Sequence, residues 1–183
     1  MFHLALFSSL ALAGSDPCSA YKVTEDQFGG GSNVEAVVQM ITQFTPVSLI
    51  FQVKSGTAEL LLTVKEGGAI SAGIPAGVEV PFKLEDGTIL KLKTVRDTAT
   101  KPYVSGDSIM TLMPYSLGLS AGDVAKFAES PLVAARLPLS SGPYDWSANK
   151  GVQKSMTKAA TCARNHVVDP VTSAPAPGVP AEQ

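Results

Sequence analysis

Alternation of apolar and polar residues is the dominant pattern of this chain, and it predicts strands. Every second position is apolar in residues 47–54 and 58–65, and the Ser-Gly-Thr segment between them is a hairpin signal. Residues 77–84 and 88–95 flank a second turn that contains Asp86-Gly87, a dipeptide typical of a two-residue type I′ turn. We therefore predict two antiparallel hairpins between residues 47 and 95.

Three further segments resemble strands. Residues 107–115 and 132–139 are apolar runs of strand length, and alternation over residues 34–44 favours a strand there as well. Pro81 lacks a backbone N–H, so the strand that contains it is predicted to lie at a sheet edge or to be bulged.

Two segments have helical spacing. Ser120 followed by Asp123 resembles a capping box, and Ser130-Pro131 should end that helix after a few turns. A second apolar stripe predicts a helix from a Ser147 cap to about Arg164, on Val152, Met156, Ala159 and Ala163. The chain should be mainly β in an α+β arrangement, an antiparallel β-sandwich or curled sheet with a short helix near 120–130 and a C-terminal helix near 147–164.

The two ends of the chain differ in composition from its middle. Residues 1–13 are apolar and end in Ala11 and Ala13, which is the small-residue pattern of a signal-peptide cleavage site. This stretch is shorter than the about 20 residues that span a bilayer. No Lys or Arg precedes it, and a buried N-terminal strand is the alternative. We expect a signal peptide (1–13), one β-rich domain (14–168) and a flexible Pro/Ala-rich tail (169–183), with a periplasmic or secreted location and no membrane span.

Cysteine usage agrees with export. The chain has two cysteines, Cys18 and Cys162, and two thiols in an oxidising compartment usually pair. Two unpaired thiols would fit a cytosolic protein instead. The cysteines lack the close spacing of a zinc site, so we predict a disulfide and no metal ligands. A weak calcium site formed by loops that are distant in sequence is an alternative.

Composition limits the classes of partner that we expect. Hydrophobic residues make up 45% of the chain and charged residues 16%, which is typical of a globular domain. The formal net charge of −2 gives no electrostatic reason to expect nucleic acid as a partner.

Few residues could support catalysis. His166 is the only histidine outside the predicted leader, and it lies where the tail begins. Ser147 and Ser155 each precede a lysine by three residues, at Lys150 and Lys158, but the other elements of Ser-x-x-Lys enzymes are missing. We therefore predict no catalytic residue, no cofactor and no enzymatic activity, with a small hydrolase as an alternative.

Two surfaces are better functional candidates. Tyr144 and Trp146 are close in sequence, and paired aromatic rings can bind a glycan or a peptide; in the alternative interpretation, Trp146 fills the core. Lys150, Lys154 and Lys158 form a helical stripe, which is either a solvated face or a contact for an acidic partner.

Several segments together resemble small exported bacterial proteins of uncharacterised function, over most of residues 24–162. They are Asp-Gln-Phe-Gly-Gly at 26–30, a Leu-Glu-Asp-Gly turn within 82–90, a Tyr before a capped helix at 115–123, an Arg-bearing strand at 130–136, and a helix ending in Cys at 158–162. The resemblance implies no activity. We expect a non-enzymatic binding or structural protein of the bacterial envelope, whose partner is an envelope protein, peptide or glycan. A periplasmic chaperone or inhibitor that pairs through a strand edge is the alternative.

Overall fold

The computed structural model describes residues 18, 22–25, 32–38, 47–54 and 56–167. The predicted leader, the predicted tail and residues 39–44 of the predicted 34–44 strand lie outside this part. The elements follow one another as β1 (Lys22–Glu25), β2 (Ser32–Val38), β3 (Val47–Lys54), β4 (Thr57–Gly67), β5 (Glu79–Leu84), β6 (Ile89–Lys93), β7 (Lys101–Ser105), β8 (Ser108–Leu119), α1 (Ala121–Glu129), β9 (Leu132–Leu139), β10 (Gly142–Ser147) and α2 (Lys150–Ala163), and a 3₁₀ turn, Arg164–His166, ends the described part.

The strands form two antiparallel sheets. One has six strands in the order β1-β2-β3-β4-β8-β7, and the other has four in the order β10-β9-β5-β6. In β3 and β4 the apolar residues at alternate positions are all buried, which places one face of the six-stranded sheet against the core. Both predicted hairpins, β3-β4 and β5-β6, are therefore present.

Both sheets and both helices contribute to one hydrophobic core. Helix α2 contacts β2, β3 and β9, and α1 packs against α2. Phe82 of β5 meets Phe127 of α1 edge to face, with ring centroids 6.1 Å apart. The prediction of a mainly β, sandwich-like α+β fold is confirmed.

The turn between β5 and β6 is longer than the predicted type I′ turn. The Gly87 N–H donates to the Leu84 carbonyl, so Glu85 and Asp86 are the central residues of the turn. Gly87 follows them with φ of 89°, and the Leu84 N–H donates to the Thr88 carbonyl. This is a three-residue loop, in which glycine adopts the left-handed conformation after the turn.

Of the two alternatives predicted for the strand that contains Pro81, the bulged strand is found and the edge position is not. Strand β5 lies between β9 and β6, and its pairing with β9 is irregular. Its ladder with β9 begins at Phe82 opposite Ala135, one residue after Pro81, and shifts register between Lys83 and Leu84. The proline is tolerated because it lies one residue outside that ladder. No ladder hydrogen bond to β9 therefore needs the N–H that Pro81 lacks.

The helices begin at different kinds of cap. The predicted capping box of α1 is confirmed, because Ser120 Oγ accepts from the Asp123 N–H and the Asp123 carboxylate accepts from the Ser120 N–H. The predicted Ser147 cap is wrong: Ser147 ends β10, and Asn149 Oδ1 accepts the Val152 N–H at the start of α2. Neither helix has the length and apolar character that crossing a membrane requires, as far as the chain is described.

Strands β7 and β10 carry no clear alternation, and sequence analysis missed both. Strand β7 is exposed along almost its whole length at one edge of the six-stranded sheet, so its residues need no apolar face. Strand β10 combines Gly142, Pro143 and Asp145, residue types that are rare in strands. It forms only because it pairs with β9.

The predicted disulfide joins Cys18 to Cys162, with Cα atoms 5.4 Å apart. It links the segment before β1 to the last turn of α2 across 144 residues. Cys162 is buried, so this end of the bond is shielded from solvent.

Removing this bond should destabilise the protein. Closing so long a loop restricts the unfolded chain, which stabilises the folded protein by at most about 5 kcal/mol. We expect Cys18→Ala/Cys162→Ala to lower the free energy of unfolding by several kcal/mol in urea titration. The reduced wild type is the matched control and should unfold at about the same urea concentration as the variant. Equal stability of variant and oxidised wild type would contradict the prediction.

Candidate binding surface

The predicted aromatic pair divides between core and edge. Trp146 is 3% exposed and lies opposite Ala135 of β9, which in turn lies opposite Phe82 of β5. The small Ala135 leaves room for the large rings on either side of it. Tyr144 is 37% exposed at the sheet edge, so the two rings do not form a shared exposed patch. The indole Nε1 has no hydrogen-bond partner among the described atoms, so packing rather than a polar contact holds Trp146.

The predicted lysine stripe is present on α2. Lys150 and Lys154 are exposed and Lys158 is half-buried, and the helix contains no acidic residue. Its outer face is therefore cationic, although the chain as a whole is slightly anionic.

The residues considered for catalysis do not form a site. Ser147 lies on β10 and Lys150 on α2, so this Ser-x-x-Lys match does not span a single helical turn. Ser155 is exposed on α2, and His166 is half-buried in the 3₁₀ turn. Within the described ranges, no three residues of the metal-binding types His, Cys, Asp and Glu are grouped closely enough to hold an ion.

A groove of about 350 Å³ lies on the outer face of the four-stranded sheet. Ser147, Ala134, Lys83 and Ile89 are register neighbours on β10, β9, β5 and β6, so they form a row that crosses all four strands. Pro81, Arg136 and Asp145 line the same groove, two residues along from Lys83, Ala134 and Ser147 on their strands. The groove therefore runs across the strands rather than along them.

Part of the groove is apolar. Ala134 and Pro81 are half-buried, and small or ring-closed side chains at these positions leave a depression between longer neighbours. Ile89 is 58% exposed, which makes it one of the few large apolar side chains left in water. An apolar ligand would remove this surface from water, at about 25 cal/mol for each Å² buried.

An ion pair forms one wall of the groove. Arg136 Nε and Nη2 donate to the two carboxylate oxygens of Asp145 at 2.6 and 2.8 Å. These hydrogen bonds lower the pKa of Asp145 and raise the pKa of Arg136. Both side chains are about two-thirds exposed, so the pair contributes little to stability and mainly fixes the position of the wall.

Lys83 has no such partner. It is exposed on β5 between Ala134 and Ile89, and no ion pair to it occurs in the described structure. The charges of Arg136 and Asp145 neutralise each other, so the groove carries one uncompensated positive charge.

Strand β10 borders the groove and is an edge strand in the described part of the chain. The Ala148 N–H donates to the Val133 carbonyl, and hydrogen-bonding direction alternates along a strand. The N–H and C=O groups of Asp145 and Ser147 therefore point away from β9. Both residues are exposed, so this edge is open to a further strand.

A second charged cluster has a structural role. Arg96 donates two hydrogen bonds of 2.9 Å to Glu59, and Ser116 and Gln52 donate to the same carboxylate. The Arg96 bonds lower the pKa of Glu59 against the effect of burial. A Cβ on Gly118 would lie 2.6 Å from Val95 Cγ1, so glycine allows the 94–96 segment to cross close to β8.

Comparisons with known proteins add no family to this description. No protein-family model, curated protein or solved structure matches the chain.

Sequence reasoning considered Trp146 for binding and Ser147 for catalysis, and both line the groove, but it did not group them with the other residues there. The groove residues come from four strands between Pro81 and Ser147, and each is separately typical of a turn, a strand or a surface. The available signal was weak: Lys83 and Ile89 flank the predicted hairpin turn at equivalent positions.

The burial of Trp146 can be tested against its neighbour. Trp146→Ala should lower the free energy of unfolding by about 3 to 5 kcal/mol, because it leaves a large cavity. Tyr144→Ala is the matched control and should cost about 1 kcal/mol or less. Urea titration of both variants measures the difference. A loss below about 1 kcal/mol for Trp146→Ala would show that the indole is not a core side chain.

Proposed function

We propose that the protein is an exported, non-enzymatic binding protein of the bacterial envelope, and that it binds a ligand on the outer face of its four-stranded sheet. The observation that carries the proposal is the groove of about 350 Å³ across β10, β9, β5 and β6. Sites for small molecules typically have volumes of about 300 to 1,000 Å³ and apolar linings with a few polar groups.

Export is supported by two features. The apolar residues 1–13 end in a small-residue pattern typical of signal-peptide cleavage, which predicts a mature chain beginning at Gly14. The Cys18–Cys162 disulfide is compatible with an extracytoplasmic location, because such bonds persist in oxidising compartments. The resemblance to small exported bacterial proteins agrees with both and stays a prediction.

A binding role is favoured over a hydrolytic one. A serine hydrolase needs a base held within hydrogen-bond reach of its nucleophile. Ser147 lines the groove, but the ionisable groups beside it there are Lys83, Arg136 and Asp145, of which the last two are paired with each other. Nothing in the described geometry points to enzymatic activity.

The proposal predicts that filling the groove abolishes binding. Ala134→Phe should lower the affinity for 2-naphthamide, a neutral apolar probe, by at least tenfold, because the new ring occupies the depression. Ligand-observed NMR titration measures the affinity. Thr63→Phe is the matched control, since Thr63 is also half-buried and lies on the outer face of the other sheet.

Both positions face outward, so both variants should keep the melting temperature of the wild type within a few degrees. Binding that survives Ala134→Phe, or the absence of binding to the wild type, would contradict the proposed site.

The open edge of β10 favours a second candidate function, the capture of an extended peptide by strand addition. The edge strands β7 and β10 both have a proline as their second residue, Pro102 and Pro143, but β7 also begins with a lysine and β10 contains none. Asp145 and Ser147 lie beyond Pro143, where β10 has no residue that discourages pairing. A captured strand would pair with the outward backbone groups of Asp145 and Ser147.

An acetylated hexapeptide of alternating valine and threonine tests this candidate. It should shift the amide NMR signals of Asp145 and Ser147, because those groups donate to the added strand. The same peptide, methylated at alternate nitrogens, is the control and should bind at least tenfold more weakly. Equal binding of the two peptides would exclude strand addition.

A further inference from the structure

We infer that the groove takes a small apolar molecule bearing one carboxylate, and that the carboxylate is bound by the Lys83 ammonium group. This inference rests on the proposed function, because it names the class of ligand for the same groove. It depends on the size of the groove, on its apolar lining residues and on the sign of its uncompensated charge.

Size favours a free small molecule as the occupant. The volume of about 350 Å³ lies near the lower end of the range for small-molecule sites. Lys83 and Ser147 lie on the two strands that flank β9, so their backbones are about 10 Å apart. A ligand with one or two rings, or a short aliphatic chain, spans this distance. A peptide on the sheet would instead follow β10, perpendicular to the groove.

The apolar part of the groove favours apolar groups. Ala134 lies between Lys83 and Ser147 in the row, Pro81 lies two residues along from Lys83 on β5, and Ile89 lies beside Lys83 with 58% of its surface in water. A ring lying over Ala134 would contact these carbon atoms without displacing a hydrogen-bonded group.

Charge selects an anion over a cation. Asp145 is the one acidic residue among those that line the groove. It accepts two hydrogen bonds from Arg136, so its charge is already paired. Lys83 has no ion pair with the described residues, so its three ammonium donors are available. Lys83 would repel an ammonium ligand and attract a carboxylate. It is the one cation among the groove residues that has no ion pair with a described residue.

The rest of this sheet face does not compete for the anion in the same way. Lys91 is paired with Glu79 at 3.2 Å. Lys93 also faces outward from β6 but does not line the groove. Lys83 is thus the lysine that lines the groove together with its apolar residues.

The experiment compares 2-naphthoate with 2-naphthamide, which share a ring system and differ in charge. Titration at neutral pH and low salt should show the wild type binding naphthoate about fivefold more tightly, as expected for one exposed ion pair. Lys83→Gln should reduce this ratio to about one while naphthamide affinity stays unchanged. Lys93→Gln is the matched control and should keep the fivefold preference.

Three results would overturn the inference. Equal affinity of the wild type for the two probes, or a preference that survives Lys83→Gln, would show that Lys83 does not select an anion. In either case, loss of both probes in Ala134→Phe would leave the proposed groove intact. Binding of neither probe to the wild type would count against the groove and the inference together.

Discussion

The antiparallel pairing of β4 with β8 is the interaction on which the rest of the structure depends. It runs without interruption from Ala58 opposite Leu119 to Gly67 opposite Met110, and its inner face is buried. Side chains of these two strands hold the second sheet in place. Glu66 of β4 accepts hydrogen bonds from Ser140 and Ser141, and the Tyr115 hydroxyl of β8 donates to the Pro138 carbonyl at 2.8 Å. The turn between β9 and β10 is therefore attached to the central strand pair.

Glu66 and Tyr115 are buried, and the pKa of each reflects its surroundings. Burial acts to raise the pKa of Glu66, but the hydrogen bonds from Ser140 and Ser141 outweigh it and hold that pKa below its usual range. Burial, with the nearby charge of Glu66, raises the pKa of Tyr115 to about 12, so its hydroxyl keeps its proton and can donate. A buried polar group left without its partner would be costly, so these contacts fix where β9 and β10 lie. They thereby fix two of the four strands that form the groove.

The groove itself results from local departures from a regular sheet. The β5–β9 ladder starts only after Pro81 and shifts register at Lys83 and Leu84, so the strands are not evenly paired beneath it. Ala134 then provides a small side chain on the outer face where its neighbours are longer. The Arg136–Asp145 pair neutralises one wall, which leaves Lys83 to set the charge of the site. A flat, regularly paired sheet would offer no such depression.

Local patterns in the sequence determined the elements that have their own internal signal. Alternation predicted β3 and β4, the turn containing Asp86-Gly87 predicted the β5–β6 hairpin, and an apolar run predicted β9. The Ser120 capping box predicted α1, and the presence of only two cysteines predicted their pairing. Only the tertiary structure decided the features that depend on neighbours. Strand β10 exists because β9 pairs with it, Trp146 is buried because Ala135 leaves room for it, and Pro81 lies in an inner strand because the ladder to β9 begins after it. The groove combines residues from four strands, and no pattern along the chain can indicate a juxtaposition that strand order creates.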